Sequence, residues 1–333
     1  MSALLRSASL THFAEVAAEC GLDARALVAE VGLPPRCLLD PDLKIPAPKV
    51  VHLLELAATR AKEPVFALRM AASRRLSNLG PLGLLVREEP TLRSALEAVV
   101  SHIHQHNEAY AVELETSGNL VVIRQYLLGE GGQPMRQATE LALGVMFRVI
   151  AVFMGAGWRP RLVCFTHRAP PSLAVHHRIF GDAVEFGHEF NGIVCNAADL
   201  DVPNPGADAV MVRLAERLLR ASPGASENLS ARVRQQVVVL LPRGLCRVEI
   251  VAQHLGMDRR TVARRLGAEN TSFSELVNEL RCDLLARYLK EGARSLGEVS
   301  ALLGFSAPSA FSRWHRQQFG QAARVQWAET RTR

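Results

Sequence analysis

A pattern that occurs twice in the last third of this 333-residue chain limits its fold more than any other feature. Val248, Val251, Ala252, Leu255, Gly256 and Met257 are matched by Leu296, Val299, Ser300, Leu303, Gly304 and Phe305, each 48 residues later. Mostly apolar residues at i, i+3, i+4 and i+7 make one face of a short helix. A Gly directly after that stripe predicts a helix stop, because Gly enters the left-handed region without a Cβ penalty. One apolar residue follows each Gly, and then Asp258 or Ser306, side chains able to accept the free N–H groups of a new helix. Second helices are predicted over 259–267 and 307–318. Helix, tight Gly turn and second helix make a helix-turn-helix unit, and the spacing predicts two, joined by a long helix.

The second helices carry the chemistry. Arg259, Arg260, Arg264 and Arg265 crowd the first, and Arg313 and Arg316 lie on the second. Arg260 and Arg264 are four apart and share a face, whereas Val262 and Leu266 share the face that packs inward. With one extra residue in the second turn, Val262 matches Phe311 and Arg264 matches Arg313. A basic outer face suits a major groove, where Arg reaches guanine O6 and N7 in a two-pronged fork or grips a phosphate.

These residues resemble the DNA-binding domain of AraC/XylS-type bacterial transcription regulators. The resemblance rests on VAQHLGMDRRTVARRL, on the linker helix with Phe273, Arg281 and Ala286, and on LLGFSAPSAFSR, and covers about 100 residues from Leu229 to Ala328. It implies that Arg259, Arg260, Thr261, Arg264 and Arg265 face DNA in the first unit, and Ser309, Arg313 and Arg316 in the second. RNA polymerase is a further expected partner, through the second unit, and a homodimer is the expected state of the chain. The second unit departs from the family pattern. Gly320 is followed by Gln321, Ala322 and Ala323 rather than Ser-Pro, with Gln326 and Trp327 beyond, and His315 stands where an apolar aromatic is usual. The first unit is therefore expected to dominate base reading.

Charge agrees with a DNA partner. From residue 228 onward there are 17 Lys and Arg against 9 Asp and Glu, an excess of +8, whereas the rest of the chain carries 22 against 24, or −2. The positive charge sits where a phosphate backbone would be met. Six scattered Cys with no C-x-x-C pair predict reduced thiols, mostly buried, and neither a disulfide framework nor a zinc ribbon. The first residues show no apolar run of signal-peptide type. The stretch 141–158, with Arg148 in its middle, is expected to fall short of a membrane span and to be a buried helix. A cytoplasmic location follows.

Upstream, helices and strands interleave, which predicts an α+β domain over 1–205 followed by an all-α domain over 229–333, with a helix and linker over 206–228. A helical pair is expected over 8–31, helices at 48–61, from Thr91 onward, at 135–155 and at 207–221, and a hairpin from 111–115 and 120–128 around Ser117-Gly118-Asn119. Further strands are expected at 161–166, 183–187 and 192–196. Residues 79–86 read as loop and then apolar, and 222–228 as the linker. This half resembles the arabinose-binding-like effector domain of one subgroup of the same regulators, through GPLGLL with Thr91-Leu92, Trp158-Arg159-Pro160, Phe165-Thr166-His167, and Phe180-Gly181 with Val184-Glu185-Phe186. That resemblance implies a small-molecule effector.

Other chemistry has little support. His102, His104 and His106, and the pair His176-His177, read as surface or loop histidines, so no metal site is expected. Arg136 and Arg148, with Glu140, surround the apolar helix; a buried Arg there would hold an anionic effector or complete a structural ion pair, with the ion pair preferred. No P-loop, G-x-G-x-x-G or G-x-S-x-G occurs, so no nucleotide cofactor and no catalysis are expected. A DNA-repair alkyltransferase fused to this kind of DNA-binding domain would need a reactive Pro-Cys-His-Arg setting that is missing. A constitutive architectural protein would have no use for some 205 residues of α+β domain.

Overall fold

The structure is a computed structural model and describes residues 3–130, 132–221, 228–291, 294–325 and 327. They group into two compact units: Met1–Leu127 with Pro134–Ala225, and Leu128–Gln133 with Ser226–Arg333.

Unit 1 runs β1 (Leu4–Arg6), α1 (Phe13–Glu19), α2 (Ala24–Glu30), β2 (Lys44–Pro46), α3 (Ala47–Ala61), α4 (Phe66–Ala72), α5 (Pro81–Glu88), α6 (Leu92–His106), β3 (Tyr110–Ser117), β4 (Leu120–Leu127), α7 (Arg136–Met154), β5 (Leu162–Phe165), α8 (Ala174–Phe180), β6 (Val184–Phe186), β7 (Asn191–Asn196) and α9 (Ala209–Ala221). Five strands form one sheet in the order β3-β4-β7-β5-β6. All neighbours are antiparallel except β5 and β6, which α8 connects in parallel. The two-residue turn Gly118-Asn119 sets the hairpin register, pairing Ser117 with Leu120. The α7 helix lies across α3 and α4 on one side and touches β4 and β7 on the other. Gly144 permits the approach to α4, since a Cβ there would sit 2.5 Å from the Ala71 Cβ. At 19 residues α7 is long and apolar enough to cross a bilayer, contrary to the expectation that this stretch falls short. It is instead a core helix, with Glu140, Leu143 and Ile150 wholly covered.

Several expectations need correction. The 79–86 run is the α5 helix, not a loop start; Pro81 takes its first position, where a missing N–H costs nothing. The strands β1 and β2 pair across a Pro-rich connection but are three residues each, too short to show a period. His106 is a buried residue of α6, because it continues the core stripe of Leu96, Val99 and Ile103. His176 is likewise buried, on α8 one turn before Phe180. All six Cys are free; Cys37, Cys164 and Cys195 are buried, the other three half-buried.

Unit 2 contains α10 (Leu229–Leu240), α11 (Val248–His254), α12 (Arg259–Ala268), α13 (Phe273–Glu291), α14 (Leu296–Leu302) and α15 (Pro308–Phe319). Its core gathers Val251, Leu255, Val262, Leu266, Leu276, Leu280, Leu284, Leu303 and Phe311, all buried. Unit 1 includes α9, which packs on α5. Residues 222–227 of the expected linker lie outside the described residues.

Candidate nucleic-acid interface

The two Gly turns close in the same way. Met257 N–H reaches Ala252 O and Gly256 N–H reaches Gln253 O, at 2.9 and 3.0 Å; Phe305 and Gly304 repeat this with Ser300 and Ala301, at 3.1 and 2.8 Å. Both glycines have positive φ, +66° and +72°. Six-to-one and five-to-two bonds around a left-handed residue make a Schellman ending. The following helices start differently. Asp258 accepts the Thr261 N–H and hydroxyl, both at 2.8 Å, and those bonds hold its carboxyl below the usual range. In the second unit the expected cap Ser306 is not used. Ala307 is the N-cap, with extended backbone and no side-chain bond, and Pro308 opens the helix.

On α12 the side chains sort by face. Arg260 and Arg264 are exposed one turn apart. Arg259 is exposed too and pairs with Glu249 of α11 at 3.1 Å. Thr261 is half-buried, its hydroxyl donated to Asp258. Arg265 is half-buried, turned toward α10, where its charge lowers the pKa of Arg232 after desolvation has done most of that work. On α15, Ser309, Arg313 and Arg316 are exposed at i, i+4 and i+7, while Phe311, Trp314 and His315 face inward. The buried imidazole of His315 donates Nδ1–H to the Gln321 carbonyl at 3.0 Å and packs against Phe311 and Phe319.

The long α13 helix fastens the second unit. Arg281 donates Nε–H to Leu303 O at 3.0 Å, and its guanidinium lies 4.1 Å from the centre of the Phe305 ring. The Trp314 indole N–H is given to Asn278 of the same helix. Ser295 and Glu298 cap α14 reciprocally, with Ser295 N–H to Glu298 Oε2 at 2.6 Å and Glu298 N–H to Ser295 Oγ at 3.2 Å.

In unit 1, Arg136 donates Nε–H to Glu140 Oε1 at 3.1 Å and Nη2–H to Pro64 O at 2.9 Å. His176 Nε2 and His167 Nε2 stand 3.4 and 3.6 Å from the same carboxylate oxygen, outside hydrogen-bond geometry. Burial pushes the neighbouring Glu55 carboxyl up, and this group accepts the Gln137 N–H at 2.8 Å. The Arg136–Glu140 pair, four apart on α7, is the structural ion pair the sequence favoured; spacing gave no hint of Glu55, His167 and His176, because they come from α3, the segment after β5 and α8. A buried Arg148 is not found: it is exposed, with its Nε–H directed to Arg74 O at 3.4 Å. Among the described residues no group of three or more His, Cys, Asp or Glu is placed to hold a metal ion.

Comparison with known proteins bears on both units. Residues 21–204 match the family described as the arabinose-binding domain of AraC transcription regulator, N-terminal. The chain belongs to the AraC family of transcription regulators. Residues 251–325 match a helix-turn-helix domain. Among relatives of this AraC-type chain, the HTH-type transcriptional regulator VirS of Mycobacterium tuberculosis is 29% identical over 327 residues, covering 97% of this chain and 96% of its own. The ornithine utilization regulator of Pseudomonas aeruginosa is 23% identical, covering 92% and 91%. A crystal structure of the transcriptional regulator CdpR from Pseudomonas aeruginosa covers 91% of this chain at 19% identity, with a TM-score of 0.45. An AraC-type regulator with an effector domain and a helix-turn-helix DNA-binding domain is thus the reading for the whole chain.

Proposed function

We propose that this regulator reads DNA through the outer faces of α12 and α15, set into successive major grooves on one side of the duplex. The observation that carries the proposal is the sorting of the arginines. Arg260 and Arg264 on α12, and Arg313 and Arg316 on α15, point to solvent on the faces opposite Val262, Leu266, Phe311 and Trp314. Arg260, Arg264 and Arg313 read bases. Arg259 and Arg316 grip phosphate, with Ser309 beside them. Thr261 acts through its bond to Asp258, and Arg265 through packing on α10. The first unit dominates base reading, having four arginines on α12 against two on α15; the second adds backbone grip or touches RNA polymerase.

Replacing Arg264 by Ala tests this. Binding to the specific site is expected to weaken by about 1–3 kcal/mol with selectivity relaxed at one base position. An equal loss on random DNA would make Arg264 a phosphate contact.

Unit 1 supplies the effector response. The arabinose-binding-like match supports a small-molecule effector, and the group of half-buried Arg136 with buried Glu140 and His176 is where a polar part of it would be received. Such a chain works in the bacterial cytoplasm as a homodimer and catalyses nothing. Support for the dimer comes from α9, whose outer stripe of Val210, Leu214 and Leu218 is 62%, 44% and 44% exposed while Ala215 and Leu219 pack inward. A second copy of the same stripe would cover it, as amphipathic helices require.

A further inference from the structure

The recognition helix of the first unit is tied to the start of α10. Glu269 caps the C-terminal end of α12, and its carboxylate reaches the N-terminus of α10. Its Oε1 accepts the Leu229 N–H at 2.8 Å and its Oε2 accepts the Ser230 N–H at 2.9 Å. The third free amide of α10, that of Ala231, is taken locally by Asn228 Oδ1 at 3.0 Å. A helix start leaves amides free, and a carboxylate there also meets the positive end of the helix dipole. One end of this bridge is stiff. The Glu269 N–H bonds to Arg265 O and Leu266 O, and Asn270, at φ +57°, closes α12 with Thr271 N–H on Leu266 O at 3.0 Å.

Asn228 shows that a local side chain can cap α10. Glu269 does something a local cap cannot: it joins helix ends 40 residues apart. We propose that Glu269 is a positioning residue for DNA reading. It fixes the direction of α12 against α10, and so hands to the recognition helix any displacement of the chain arriving at Asn228. The proposal rests on α12 facing DNA.

The test uses the full chain and a DNA site selected from a random pool with the wild-type protein. Affinity is measured for that site and for copies with either half-site scrambled, with Glu269→Ala, Glu269→Gln, Asn228→Ala and Arg264→Ala. Asn228→Ala is the structural control, because it removes the local cap of the same helix start, the bond to Ala231 N–H, and leaves the Glu269 bonds to Leu229 and Ser230 in place. Glu269→Ala is expected to lower discrimination at the first half-site by about tenfold and to leave the second unchanged. Asn228→Ala should change discrimination less than about twofold even where it lowers Tm as much. Glu269→Gln, which keeps one acceptor oxygen, should fall between, and it carries the test if Glu269→Ala does not fold. Equal effects of the Glu269 and Asn228 variants, or no loss with either Glu269 variant, would overturn the proposal. If Arg264→Ala also leaves discrimination intact, the reading of α12 itself has failed.

Discussion

Arg281 shows how a single residue can hold a reading head in place. Its Nε–H satisfies the last carbonyl region of α14 and its guanidinium covers Phe305, so it ties the long helix to the turn of the second unit. A hydrogen bond from a charged donor and a cation–π contact together suggest about 2–3 kcal/mol. Arg281→Ala should therefore lower hydrogen-exchange protection of the amides at 299–303 by the matching factor; unchanged protection would assign the stability of α14 to its apolar contacts alone. His106 gives a pH signature. Burial first, then Arg6, Arg74 and Lys44, pull its pKa down to about 3. Between that value and the ordinary value near 6.5 the unfolded chain binds a proton that the folded chain does not, so stability falls as pH drops through this window, by at most about 1.4 kcal/mol per unit. Denaturant midpoints of wild type and His106→Asn at pH 5 and pH 7 check this: the variant should lose less on acidification, and an equal loss in both would place the acid sensitivity elsewhere. The outward arginines were legible in the sequence because helical spacing sets the face. The buried histidines were not, since an imidazole is compatible with either environment and only the packing of α6 and α8 decides.

At the scale of elements, repetition and period made the helix-turn-helix pairs readable, and alternation gave the strands from β3 to β7 to within a few residues. Pattern failed where elements are short or begin at Pro. The β1–β2 pair has too few residues to alternate, and α5 begins at a Gly-Pro that reads as a turn. Loop-like composition likewise hid α8. The cap of α15 was misplaced by one residue because Ser306 is a better capping side chain than Ala307, and Pro308 settled the matter by fixing the first turn. The α9 stripe yields an element-scale prediction. Leu214→Arg should leave the inward residues Ala215 and Leu219 packed on α5 and should convert a dimer to a monomer in light scattering. A dimer that survives the change must form through another face.

For the whole molecule, the charge excess of +8 beyond residue 227 sits with a core of buried apolar residues contributed by unit 2 itself, Val251, Leu266, Leu280 and Phe311 among them. A fragment from Asn228 to the C-terminus is expected to fold alone and to bind DNA with a steep salt dependence, since each Arg–phosphate contact releases counterions. A fragment that is unfolded by circular dichroism would contradict the division of the chain. The linker-like composition of 222–228 pointed to a division of the chain, but the membership of α9 was not legible, because an amphipathic helix beside a linker does not reveal which side it packs on. The central claim is that two matched helices read two grooves. Hydroxyl-radical footprinting of the full chain on a site selected from random DNA tests it most directly. The account predicts two protected patches on one face of the duplex, about one helical turn or 10 base pairs apart, with the patch under α12 lost in Arg264→Ala. A single patch, or protection that is the same on unselected DNA, would contradict it.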